Sequence, residues 1–195
     1  MAGPDVLHLL RTGTAAEHED VERSLALLDP ALGRRRLTDV LTRMHGFWLA
    51  AEAGLDDWAG RFPSDAEAVR WPARRRARLF ADDLRALGAA GTGRAPDLDP
   101  LSGTDQALGR LYVLEGSTLG GTVIHRHLAG LPALAGVRLR AFSPYDIRTG
   151  AMWHQFRRVT RDRVTDGGDP AVIVAAARGT FRALAGWCRP VAFPA

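Results

Sequence analysis

The sequence predicts an all-α fold, one multi-helix bundle spanning residues 1–195 as a single domain. Three observations carry this reading. Apolar residues recur at helical spacing through long segments, helix start signals sit where those segments begin, and almost nothing alternates with period two.

The elements follow in order. A first helix is expected from Pro4 to Leu28, with Leu7, Leu10, Val21, Leu25 and Leu28 as its buried stripe. Asp29–Pro30 supplies a cap and a first-turn proline for a second helix running to about Ala59. Its buried stripe is Leu37, Val40, Leu41, Met44, Phe47 and Trp48. "SDAE" at 64–67 has the form of a capping box, before a helix that runs through Trp71 or starts after Pro72 and ends at Gly88. "GAAGTGRAPDLDPLSG", 88–103, holds four glycines and two prolines and reads as a loop. A fourth helix is expected over Thr104–Leu128, and a fifth over Thr149–Val164. "GGDP" at 167–170 caps a last helix from Ala171 to about Cys188. Between them Val137–Phe142 alternates weakly, like a short strand.

Composition narrows the function classes. Hydrophobic residues make up 46% and charged residues 25%, the balance of a soluble globular chain, and no long apolar run predicts a membrane span. The start "MAGPDVLHLLRTG" turns polar too soon for a secretory signal, so the cytoplasm is the expected compartment. One cysteine, Cys188, excludes an internal disulfide. All 26 basic residues are arginine, which we read as codon usage rather than function. The runs "RRR" at 34–36 and 74–76 read as solvated helix faces. Acidic residues accompany them and no basic–aromatic interleaving does, so nucleic acid is not an expected partner. A basic patch for an acidic protein remains an open use of the charge.

Two features carry chemistry. His18 falls on the apolar stripe of the first helix, with Glu22 at i+4. Spacing leaves two readings: a core histidine satisfied by one hydrogen bond, or a metal ligand whose second nitrogen is held by the carboxylate. No HExxH or repeated Glu-x-x-His motif is present, and His45, His125, His127 and His154 read as core or surface residues. The second feature is "LYVLEGSTLGGTVIHRHLAG", Leu111–Gly130, where "GSTLGG" puts three glycines into a helical segment. Each costs roughly 0.5–1 kcal/mol relative to alanine in a helix interior. Close helix packing, a break in the helix, or backbone laid over a flat ligand would each account for them.

"RLYVLEGSTLGGTVIHRHL" resembles the distal-helix signature of bacterial haem oxygenases, particularly those found with bacteriophytochromes. "LRTGTAAEHEDVE" resembles the proximal segment of the same family, and "YDIRTGAMWHQF" with "AAARGTFRALAGW" its C-terminal part. The blocks lie in the family's order across nearly the whole chain. The resemblance implies a haem-oxygenase-like helical bundle and O2- and electron-dependent cleavage of haem at a meso carbon to biliverdin, CO and ferrous iron. Haem is then both substrate and cofactor, and electrons come from a ferredoxin-like or other reductase donor. It further implies a bacteriophytochrome as a recipient of biliverdin.

Residue by residue, the resemblance implies His18 as axial ligand to the haem iron, oriented by Glu22. Gly116, Ser117, Gly120 and Gly121 form the distal helix over the porphyrin. Arg11, Arg157 and Arg161 are the propionate partners, with Arg158 beside them, and Tyr112 packs or hydrogen-bonds near the haem. Two departures stand out: Ser117 replaces an aspartate that some members carry, and "YD" at 145–146 replaces a Tyr-Gly. The alternative function is a haem carrier of the same fold that does not turn its ligand over. A thiaminase-like hydrolase would need a pocket cysteine, and Cys188 sits at the end of the last helix.

Overall fold

The computed structural model describes residues 5–189. Eight α-helices follow one another among them: α1 (Val6–Gly13), α2 (Ala15–Leu25), α3 (Arg34–Arg61), α4 (Pro63–Ala68), α5 (Ala77–Ala86), α6 (Thr104–Ala129), α7 (Thr149–Thr165) and α8 (Pro170–Cys188). Short 3-10 turns lie at Trp71–Arg74, Pro132–Leu134 and Asp146–Arg148.

The first expected helix is two. Pro4 lies outside the described residues. Thr14 leaves helical geometry, with φ −118° and ψ 5°, and its hydroxyl donates to the Leu10 carbonyl at 2.7 Å. It closes α1 and opens α2 at a new angle. At Ala26 the chain turns left-handed, φ 45° and ψ 43°, which ends α2 and throws Leu28 into solvent at 53% exposure. Leu28 therefore does not close the buried stripe as expected. Asp29 caps a turn rather than a helix: its carboxylate accepts from the Ala31 N–H at 2.8 Å and from Arg36 at 3.0 Å. α3 starts only after Gly33, and its expected stripe from Leu37 to Trp48 is fully buried.

Three other expectations shift. Ser64 does not cap: α4 opens on Pro63, behind Phe62. No strand occurs among the described residues, because Val137–Phe142 has no neighbour to pair with. The Arg140 and Ala141 N–H groups donate instead to the buried carboxylate of Asp83 on α5, at 2.8–3.0 Å. Burial pushes the Asp83 carboxyl above its ordinary value, against the pull of those two donors. Finally, "RRR" at 74–76 is no solvated face, since Arg74 and Arg76 are 2% and 1% exposed.

α8 organises the packing. It lies most extensively against α6, then against α2, α1 and α3. Asp169 caps it by accepting the Ala171 N–H at 2.8 Å, and Pro170 occupies its first turn. Asp105 at the start of α6 accepts both Arg163 of α7 (2.7 Å) and the Asp169 N–H (3.0 Å), locking three helix ends together. α6 and α8 meet at Gly109, where a Cβ would overlap the Ile173 carbonyl and the Ala176 methyl. Glu17 fastens α2 to α8 through Arg178 and Arg182, each at 2.8 Å. α2 and α6 thus share α8 as a floor without packing extensively on one another.

Gly109→Ala is expected to lower stability by about 1–3 kcal/mol, because the added methyl meets backbone that cannot yield. Denaturant unfolding measures it.

Candidate functional site

The back of α6 is built of buried polar groups. Glu115, 1% exposed, is ion-paired to Arg74 and accepts the Tyr145 hydroxyl at 2.8 Å. Arg74 also donates to the Val69 carbonyl and, at 3.1 Å, to that of Met152. Arg76 donates to the Ala141 carbonyl (3.1 Å), the Leu114 carbonyl (2.8 Å) and the Ser117 hydroxyl (2.6 Å), and its guanidinium lies over the Trp48 ring at 5.0 Å. Glu52 of α3 accepts the Arg76 and Ala77 N–H groups at 2.6 and 2.8 Å. Burial raises the Tyr145 phenol and the Glu52 carboxyl and lowers the Arg76 guanidinium. These charges fix α6 against the turn at 71–76 and the segment after α6. The sequence signal for them was an acidic residue just ahead of a glycine motif, and it was too weak to find the arginines.

The expected distal residues divide between two faces. Gly121 is buried and turned to the back, where a Cβ would overlap the Phe142 carbonyl oxygen, so it is a packing glycine. Ser117 is also committed there: its hydroxyl donates to Leu114 at 2.7 Å and accepts from Arg76. Gly116 and Gly120 lie on the other face, where a Cβ would meet nothing within 4 Å. Tyr112, Gly116, Gly120, Val123 and His127 follow at helical spacing, so they form one stripe, with Leu119 beside it. Leu119 and Val123 are 45% and 56% exposed. α6 is one continuous helix through the motif, so the glycines do not break it.

The proximal residues stand on the opposite segment. The His18 side chain is 55% exposed, its ring edge-on to Phe181 of α8 at 5.6 Å between centroids. Glu22 Oε2 is 3.7 Å from His18 Nδ1. His18 is therefore neither buried nor satisfied by a core hydrogen bond, which removes the first of the two readings its spacing allowed.

Both ends of the α6 stripe reach the α1–α3 segment. Tyr112 interacts with Thr14 and Arg11, and its phenol is raised by burial while those two neighbours pull it down. It also packs on Trp153 at 5.9 Å. At the far end His127 Nε2 is 3.1 Å from the Asp29 carbonyl oxygen. Between these two points the stripe spans fifteen residues, about 22 Å of helix. α2, with its exposed imidazole, and α6, with its bare stripe, both pack on α8, and the space between the two helices is the candidate slot.

Among the expected anion-binding arginines, Arg161 is held by Asp5 through two bonds of 3.0 and 2.7 Å, which hold that carboxyl below its ordinary value. Arg158 pairs with Asp162 at 3.3 Å. Arg157 reaches Asp5 only through its field, and Arg11 is exposed beside Tyr112.

The chain is 34% identical over 143 residues to a heme oxygenase of Xanthomonas campestris pv. campestris, a match covering 73% of this chain and 82% of that protein. The chain belongs to the haem oxygenase family. No family model matches it. Among solved structures, the NO- and CO-bound heme oxygenase from Neisseria meningitidis is similar at a TM-score of 0.74 and 19% identity, covering 97% of this chain and 92% of that one. Heme oxygenase from Leptospira interrogans gives a TM-score of 0.76 at 16% identity, covering 96% and 100%. These haem oxygenase likenesses show the all-α fold. Among the described residues no helix is long and apolar enough to cross a membrane, and no cluster of three or more His, Cys, Asp or Glu forms a metal site.

Arg74→Met is expected to cost about 3–5 kcal/mol in unfolding free energy, since it leaves Glu115 charged and buried. Pairing it with Glu115→Leu is expected to recover much of that loss. Burial pushes the Cys188 thiol up to about 12, so the native protein is expected to resist a thiol-labelling reagent at neutral pH and to react only when unfolded.

Proposed function

We propose that this haem oxygenase family member binds haem in the slot between α2 and α6 and opens it at a meso carbon, giving biliverdin, CO and ferrous iron. What supports the reading is an exposed imidazole on α2 together with a bare glycine stripe on α6, both helices packed on α8. The residues fit the group. Gly116 and Gly120 leave open space where any side chain would stand, Leu119 and Val123 offer uncovered apolar surface, and His18 presents its ring. A porphyrin needs these three things: a nitrogen ligand, flat apolar walls and a wall without side chains over the iron.

When bound, haem supplies the redox-active iron and the macrocycle that is opened. The protein supplies binding, orientation and proton access. Glu22 Oε2 lies 3.7 Å from Nδ1 of His18, which leaves Nε2 as the nitrogen for the ligand and puts a carboxylate within reach of Nδ1 to orient the ring once the ligand is bound. Arg11 and Arg157 are the propionate partners, because Arg161 and Arg158 are already paired with carboxylates. Tyr112 closes the same end of the slot. Ser117 does not deliver protons, since its hydrogen is spent on Leu114 and its oxygen on Arg76. The stripe itself carries no acid or hydroxyl between Gly116 and Val123 on its open face, so water admitted along it donates the protons. The bare backbone at Gly116 and Gly120 would let the macrocycle lie close and would limit what else can reach its face.

Electrons come from outside the chain. From Gly116 to Tyr145 the sequence has no acidic residue, while Arg126, Arg138 and Arg140 are exposed there. That surface suits an acidic, ferredoxin-like donor. The likeness of the glycine motif to members found with bacteriophytochromes makes such a photoreceptor the recipient of the biliverdin.

The test is turnover: haem, a reductase system and air are expected to convert the Soret band into a biliverdin spectrum, with the isomer identified by chromatography. A haem complex that stays unchanged under these conditions identifies a carrier instead. Gly120 separates ligand from packing. Gly120→Ala is expected to raise the stability of the haem-free protein by about 0.5–1 kcal/mol, because the methyl enters open space in a helix. The same change weakens haem binding, and Gly120→Val abolishes turnover. Gly121→Ala is expected to do the reverse, destabilising the haem-free fold against Phe142.

A further inference from the structure

Among the described residues, one hydrogen bond joins α6 to the segment running from Ala15 to Gly33: His127 Nε2 to the Asp29 carbonyl oxygen, 3.1 Å. A carbonyl oxygen can only accept, so Nε2–H donates. We propose that this bond is a clasp that sets the opening of the slot, making His127 a positioning residue for haem. The inference rests on the reading of the slot as the haem site.

Three features of the fold argue for it. His127 ends the same α6 stripe that carries Gly116 and Gly120, so its position along the helix is tied to theirs by rigid geometry. Asp29, on the other side, sits in a turn with little freedom. Its N–H donates to Ala26 at 3.2 Å, its carbonyl accepts Leu32 at 3.0 Å, and its carboxylate holds Ala31 and Arg36. The turn follows directly on α2, the helix that carries His18. A bond between two stiff bodies transmits position, whereas one between flexible loops would not.

The third feature is the scarcity of direct contact between the two helices. α2 and α6 each pack on α8 but not extensively on one another. Glu17 fastens α2 to Arg178 and Arg182 of α8, and Asp20 fastens it to Arg189 at the end of α8, by ion pairs of 2.8 Å. Tyr112 governs the near end of the slot through Thr14 and Arg11. With the clasp released, burial of Leu27 and Leu32 still anchors the turn in the core, but its direct tie to α6 is gone, and the distance from His18 to the glycine wall loosens with it. Neutral His127 with the proton on Nε2 and charged His127 both donate, so the clasp does not open on acidification.

The test compares wild type with His127→Ala, His127→Phe, which keeps a ring without a donor, and His127→Gln, whose amide can donate from a similar place. Two quantities are read. One is amide hydrogen exchange over residues 26–33 without haem; the other is the rate at which loaded protein passes haem to excess apomyoglobin. His127→Ala and His127→Phe are expected to release haem roughly three- to tenfold faster, as loss of one hydrogen bond implies. Exchange in the turn rises with it, and His127→Gln stays near wild type in both. Unchanged release from the Ala and Phe variants overturns the clasp, whether or not exchange rises. So does a Gln variant as fast as Ala. Wild type that takes up no haem sinks the functional reading instead.

Discussion

Everything in this fold depends on α6 being gripped, around Gly116 and Gly120, from one side only. A helix with small residues on one face and nothing packed against them is poorly held by hydrophobic contact there. Gly116 and Gly120 forgo roughly 0.5–1 kcal/mol each against alanine. The opposite face makes up the hold with groups that are costly to dislodge: Glu115 to Arg74 and Tyr145, Leu114 and Ser117 to Arg76, and the backbone contact at Gly121. A buried ion pair adds little net stability over an apolar isostere. What it does supply is a fixed position, since the geometry that satisfies every donor and acceptor is narrow.

The same asymmetry explains how three glycines in six residues can have two jobs. Gly121 exists because the Phe142 carbonyl lies where its side chain would be, and Gly116 and Gly120 exist because nothing does. A ligand wall needs both kinds. On the proposed reading, the helix is pressed close behind so that it cannot drift into the slot, and left bare in front so that a flat molecule can lie against it. α8 supplies the common reference. With α2 fastened to it by ion pairs and α6 by close backbone contact at Gly109, the two walls share one reference element, and the His127–Asp29 bond ties them directly at the far end.

Much of the fold was legible in the sequence because its long helices obey simple periodicity. The limits expected for the fourth, fifth and last helices fall within a residue of the observed ends of α6, α7 and α8. The errors have physical causes. Thr14 breaks the first helix by returning its hydroxyl to Leu10, a bond that a helical stripe does not reveal. Asp29–Pro30 starts a turn because the carbonyl and carboxylate of Asp29 are taken up locally. Arg74 and Arg76 look like surface charges in a basic chain, and only tertiary partners spread from Val69 to Met152 make them core residues. In the candidate site, spacing singled out His18 and the glycines but left their roles open, the family resemblance assigned those roles, and neither revealed which neighbours were already engaged. Arg161 went to Asp5 and Ser117 to Arg76, choices set by residues distant in sequence.

The central claim is that the imidazole of His18, facing the bare stripe of α6, is the nitrogen that holds haem iron. Resonance Raman spectroscopy of the ferrous haem complex tests it directly. The account expects an iron–histidine stretching band in wild type, its loss in His18→Ala, and its return when imidazole is added to fill the space left. A band that persists unchanged in His18→Ala, or wild-type protein that shows none, would contradict it.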